Sequence, residues 1–119
     1  MSMEANEIFD PKVLVTLREE IGDAVIKVVK VYLDDTPNSL QKMQQALTQN
    51  DLETVKRLAH SLKSSSANVG AMQMSFLARN LEQELNQGTS DATKIAAAIK
   101  EMHDTFDLTQ PMFEEFLQK

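Results

Sequence analysis

The chain has no cysteine and no tryptophan, only three glycines, three prolines and one tyrosine. Without cysteine there can be no disulfide, no thiolate metal site and no cysteine nucleophile. So few glycines leave little material for a phosphate-cradling loop, and so few aromatic residues disfavour a sheet enzyme. Long hydrophobic runs are also missing: stretches such as Ile95–Ile99 are broken by charge well short of the ~20 apolar residues a membrane span needs. The opening Met1–Glu7 has neither the basic head nor the apolar body of a secretory signal, so the expected location is cytoplasmic. Basic residues are the minority, 12 against 18 acidic, for a net charge of −6. Nucleic acid and anionic membranes are therefore poor partners for the chain as a whole.

What remains is a helix-forming alphabet in 119 residues, enough for one domain with a real core. Asp10-Pro11 announces a first short helix, with Asp10 as cap, Phe9 stapled to Leu14, and Gly22 as its end. A second helix follows Asp23, and its apolar phase continues across Pro37, which predicts one kinked helix through Leu47. Asp51 caps a third helix of about 18 residues that Gly70 closes. The fourth runs from about Met72 to Gln87 with Phe76, Leu77, Leu81 and Leu85 as its stripe. The fifth carries Ile95, Ile99, Met102 and Phe106, meets Pro111, and ends with Phe113, Phe116 and Leu117. Short connections favour antiparallel neighbours. The fold class is therefore all-α, an antiparallel up-down four-helix bundle with a short accessory N-terminal helix. Residues 1–9 form a tail and 10–119 the domain. Val13 and Leu17 are expected to stand exposed on the first helix as docking residues, and Met72 and Met74 to join the core.

The third helix holds the informative residue. At ~100° per residue, Leu52, Val55, Leu58, Ala59, Leu62, Ser66 and Val69 share one sector, and His60 lies ~140° from its centre. His60 should project into water, with Lys56, Arg57, Lys63 and Ser64 at three- and four-residue spacing and Ala67 a turn further on. From Val55 to Leu81 the sequence has Lys56, Arg57, Lys63 and Arg79 and no carboxylate, a +4 stretch in an acidic chain. Such a stretch around an imidazole suits an anion, with phosphate the obvious one. If helices three and four turn near Gly70-Ala71, facing residues have numbers summing to about 142. That sets His60 near Glu82 and Lys63 near Arg79. A carboxylate on one ring nitrogen fixes the tautomer and leaves the other nitrogen free as a nucleophile. On position alone, an exposed histidine is a surface residue and exposed lysines a solvated face.

The run Ala59-His60-Ser61-Leu62-Lys63-Ser64-Ser65-Ser66-Ala67-Asn68-Val69-Gly70-Ala71 resembles the signature of histidine-containing phosphotransfer (HPt) domains, Ala-His-x-Leu-Lys-Gly-Ser-Ser-x-x-x-Gly-Ala. The similarity extends through Tyr32–Pro37 and Leu40 upstream and Leu77 and Leu81-Glu82 downstream, covering most of residues 10 to 105. It implies that His60 is phosphorylated, that Lys63 steadies the phosphoryl oxygens, and that Glu82 stands at the family's histidine-bonding position. Lys56, Arg57, Ser64, Ala67 and Arg79 would line the phosphoryl- and partner-binding face. Ser64 departs from the pattern, taking the place of a glycine, and implies retained function with altered partner preference. The resemblance further implies a phosphoryl carrier without kinase activity of its own. It would pass a phosphoryl group from a receiver-domain aspartate of a hybrid sensor kinase to the aspartate of a response regulator. Mg²⁺ would belong to the receiver, the carrier having no cofactor or metal, and the family habit implies a monomer. The methionine start and complete bundle favour a free-standing protein. Of the rivals, a metal site or hydrolase built on His60 and His103 lacks ligand spacing. A kinase lacks a glycine-rich loop. A non-catalytic helical adaptor, with His60 incidental, stays as the alternative.

Overall fold

The computed structural model describes residues 8–118; the rest of the expected tail lies outside them. Among the described residues these helices follow one another: α1 Pro11–Ile21, α2 Ala24–Thr48, α3 Leu52–Asn68, α4 Met72–Asn86 and α5 Ala92–Leu117. Three of the helix starts, those of α1, α3 and α5, carry side-chain caps. Asp10 accepts from the Lys12 amide at 3.0 Å, Asp51 from the Thr54 amide at 3.2 Å, and Asp91 from the amides of Thr93 and Lys94. Each bond satisfies a donor the first turn leaves over, and a cap of this kind is worth ~1 kcal/mol.

Helices α2 to α5 form a four-helix bundle in which α3 and α5 each pack against both α2 and α4, while α1 lies on α2. Val25, Val29, Leu40 and Met43 of α2, Val55, Ala59 and Leu62 of α3, Met74, Ala78 and Leu81 of α4, and Ile95, Ile99, Met102 and Phe113 of α5 fill the core. Phe9, assigned by its sequence position to the tail, is buried too, its ring 4.8 Å from that of Phe113. Pro37 and Pro111 both lie inside continuous helices, so α5 runs on for 26 residues rather than breaking.

The turn between α3 and α4 fixes the site's register. Gly70 has φ +84°, a conformation open to glycine, and its carbonyl accepts from the Asp10 amide at 2.8 Å. A Cβ here would meet the Asp10 carbonyl oxygen at 2.5 Å, so the entry of α1 is packed directly onto this turn. From that point α3 and α4 run back antiparallel, and the Ser75 hydroxyl donates to the Lys63 carbonyl at 2.8 Å across them.

Three surface assignments need correction. Phe76, expected in the α4 stripe, is 46% exposed with the Arg79 guanidinium 5.4 Å above its ring, because Met74, Ala78 and Leu81 take the inward sector. Val13 and Leu17 are half-buried rather than exposed, and Val15 and Ile21 are the outward apolar residues of α1. Met74 is core as expected, but Met72, the first residue of α4, is exposed, because Met74, Ala78 and Leu81 take the inward sector of that helix.

Candidate functional site

His60 sits in the middle of α3 with its neighbours Ala59 and Leu62 turned into the core. Its side chain is 63% exposed. The helical wheel dictates this: the inward positions are held by apolar or small residues at i, i+3 and i+4, and the imidazole takes the remaining direction.

Glu82, inward of the ring on α4 and 14% exposed, joins three side chains into one group. Its Oε2 lies 2.5 Å from His60 Nδ1, and its Oε1 accepts from Lys63 Nζ at 2.8 Å. The Lys63 bond is the main cause of a carboxyl held below its ordinary range, with the His60 bond adding to it and partial burial opposing both. Glu82 is therefore ionised at neutral pH and accepts the Nδ1 proton. Nε2 has no hydrogen-bond partner among the described residues. An imidazole with Nδ1–H committed to a carboxylate carries its lone pair on the other nitrogen, which is the nucleophilic arrangement.

The antiparallel pairing of α3 and α4 thus sets His60 against Glu82 as their spacing requires. The Lys63 side chain takes a partner of its own. It reaches along α4 to the carboxylate, while Arg79 stacks over Phe76. A cation on a four-carbon stem moves one turn readily to an anion, and has no reason to face another cation.

The remaining candidates spread outward. Lys56 pairs with Glu53 on its own helix at 3.2 Å. Arg57 borders a shallow recess with Lys42, Asp51 and Thr54. Ser64 is exposed one turn after His60. Ala67 is half-buried beside a groove of about 430 Å³ shared with Lys12, Val13, Thr16 and Leu17 of α1. Among the described residues no group of three or more histidine or carboxylate side chains could hold a metal.

Sequence reasoning missed two features. Ser75 locks α4 to the Lys63 carbonyl, and no pattern in the sequence marks it. The α2–α3 seam also carries a groove of about 340 Å³ lined by Val28, Val31, Tyr32 and Leu62. The Tyr32 hydroxyl lies 2.8 Å from the buried Ser66 Oγ, and burial pushes the phenol pKa up to about 12. Val28 and Val31, apolar beyond what the inward face requires, were the available signal for it.

Bundle and triad together define a helical module that presents one histidine to solvent. A family model described as the Hpt domain matches residues 27–109, and the chain belongs to that family, the phosphotransfer intermediates of phosphorelays. The phosphorelay protein LuxU of Vibrio vulnificus (strain YJ016) is 29% identical over 102 residues, covering 83% of this chain and 89% of that protein. Two solved structures share the fold. Histidine-containing phosphotransfer protein B (HptB) of Pseudomonas aeruginosa PAO1 has a TM-score of 0.86 and 24% identity, covering 93% of this chain and 95% of its own. The HPT domain of the Hpt sensor hybrid histidine kinase from Shewanella has a TM-score of 0.78 and 22% identity, covering 95% and 96%. Among the described residues no helix is long and apolar enough to cross a membrane.

Proposed function

We propose that His60 is the phosphorylated residue, taking a phosphoryl group from a receiver-domain aspartate of a hybrid sensor kinase and passing it to the aspartate of a response regulator. The observation that carries this reading is the exposed ring whose Nδ1 is tied to Glu82. Phosphoryl transfer asks for in-line approach and compensation of charge on the equatorial oxygens, more than for covalent help. His60 offers the lone pair, and Lys63, which shares Glu82 with it, the cation, with Lys56, Arg57, Arg79, the Ser64 hydroxyl and Ala67 on the partner-facing surface. In place of glycine, Ser64 narrows the approach and alters which receivers fit. Mg²⁺ would be held by the receiver's own acidic residues. The carrier then works as a cytoplasmic monomer, in a domain spanning residues 10–119, with no kinase activity of its own.

The test is incubation with a phosphorylated receiver domain. An acid-labile, base-stable label on the wild-type chain, lost in His60→Gln, is the expected result. No label, or equal label on the variant, would overturn the reading and favour a helical adaptor.

A further inference from the structure

We propose that Arg18 and Phe116 are positioning residues for phosphoryl transfer: their contact latches α1 to the bundle, and α1 forms an adjustable wall of the face that a receiver domain covers to reach His60. The inference rests on His60 being the phosphorylated residue.

Helix α1 is held lightly. Of its residues only Leu14 is buried, so one apolar anchor secures it where each bundle helix has three or more. A helix with so few buried apolar contacts opens locally at much less cost than the whole domain. Gly22, which ends α1, has φ +63° and open space where a Cβ would stand, so the link to α2 can turn.

What keeps α1 closed lies on its inner side. At the entry, the Asp10 amide donates to the Gly70 carbonyl at 2.8 Å, and the Phe9 ring lies 4.8 Å from that of Phe113. About two turns further on, the Arg18 guanidinium sits 4.3 Å over the Phe116 ring. Phe116 is buried in the last turn of α5 and gives the cation a fixed platform. A cation over a ring is held more strongly where water is excluded.

Around α1, Arg18 lies to one side of Leu14, and Val13 and Leu17 lie to the other. The Arg18 side meets α5. The opposite side, with Val13, Thr16, Leu17 and Glu20, forms one wall of the groove of about 430 Å³ whose other wall is Ala67 and Asn68 of α3. Ala67 is seven residues past His60 on the same line of α3, about 10 Å along its axis. A standard protein interface takes about 800 Å² of each partner, a patch roughly 25 Å across. A receiver seated over His60 Nε2 therefore covers Ala67 and meets the α1 wall. The Arg18–Phe116 contact fixes where that wall stands, from the far side of α1 and without touching the reacting atoms. Two receivers of different shape must seat over the same nitrogen, and a hinged wall lets one face fit both.

The test is backbone amide exchange in the unmodified full chain, paired with transfer from a phosphorylated receiver, for wild type, Arg18→Met, Arg18→Lys and Phe116→Leu. Arg18→Met and Phe116→Leu speed exchange in α1 about fivefold and leave α3 unchanged. Arg18→Lys, which keeps a cation over the ring, stays within about twofold of wild type. In transfer, Arg18→Met raises the receiver concentration for half-maximal labelling about threefold and leaves the rate at saturating receiver unchanged. Unchanged α1 exchange in Arg18→Met would overturn the latch. So would equal acceleration in α1 and α3, which makes the contact a support of the whole bundle. Faster α1 exchange with an unaltered half-maximal concentration would overturn the wall's part in recognition. A Phe116→Leu chain that fails to fold leaves Arg18→Met to decide both points. Absence of label on the wild-type chain would instead remove the proposed function, an outcome distinct from any result in the exchange measurement.

Discussion

The chain has two histidines, each in the middle of a helix and each near a lysine and an acid, yet their surroundings differ in one respect. Around His60 the acid comes from another helix: Glu82 of α4 bonds both His60 and Lys63 of α3. Around His103 the lysine and acid belong to the same helix, Lys100 bonding Asp104 at 2.9 Å within α5. His103 borders a groove of about 390 Å³ with Gln44, Ile99 and Lys100 and has no hydrogen-bond or ion-pair partner among the described residues. A charge pair within one helix satisfies itself and leaves a neighbouring ring alone. A pair that crosses helices is positioned by the packing of the bundle, and it can hold an imidazole in one tautomer and one direction.

The sharpest way to break this contrast is to delete each ring. His60→Gln should abolish phosphoryl labelling from a phosphorylated receiver, whereas His103→Gln should label like wild type; loss of label in both would erase the distinction. Next come the lysines. Lys63→Ala is expected to slow transfer by roughly ten- to a hundredfold, since it removes a cation acting on the phosphoryl group, while Lys100→Ala stays within about twofold. Rapid-quench transfer rates decide it, and similar slowing in both would show general charge rather than position at work. Glu82→Ala should cost about tenfold in the same assay with the helical circular dichroism unchanged; a rate matching wild type would remove Glu82 from the site.

The smallest expected effect concerns acid stability. Glu82 titrates below its ordinary 4.5 when folded. Its contribution is therefore fully present above the ordinary range and is lost as pH falls through the lowered value. Glu82→Gln should lower the urea midpoint at pH 7 and do so much less at pH 3. Asp104→Asn, on an exposed pair within one helix, should change little at either pH. If Glu82→Gln lowered the midpoint equally at both, its ionisation would play no part in stability.

Much of this was legible in the sequence because helices obey local rules. Asp10, Asp51 and Gly70 set ends that the backbone respects, and the outward direction of His60 follows from which neighbours are apolar. The antiparallel register of α3 and α4 followed from a single turn, which is why Glu82 could be matched to His60 in advance. Side-chain choice was less legible. Lys63 had Arg79 as its geometric neighbour and went to Glu82, because a long flexible cation answers to charge before register. Phe76 reads as core from its place in the apolar stripe of α4, but Met74 and Ala78 fill the inward sector, and Arg79 gives its ring a partner outside. The Tyr32–Ser66 contact, 34 residues apart in sequence, depends on how α2 and α3 pack, which no periodicity reveals.

With Nδ1 engaged by Glu82, the ring keeps one berth, Nε2, and under the proposed function every client must dock at it. Two proteins cannot occupy that berth together, so they must queue. Raising the concentration of one then delays the other even where they share no contact, and throughput depends on relative abundance as well as on affinity.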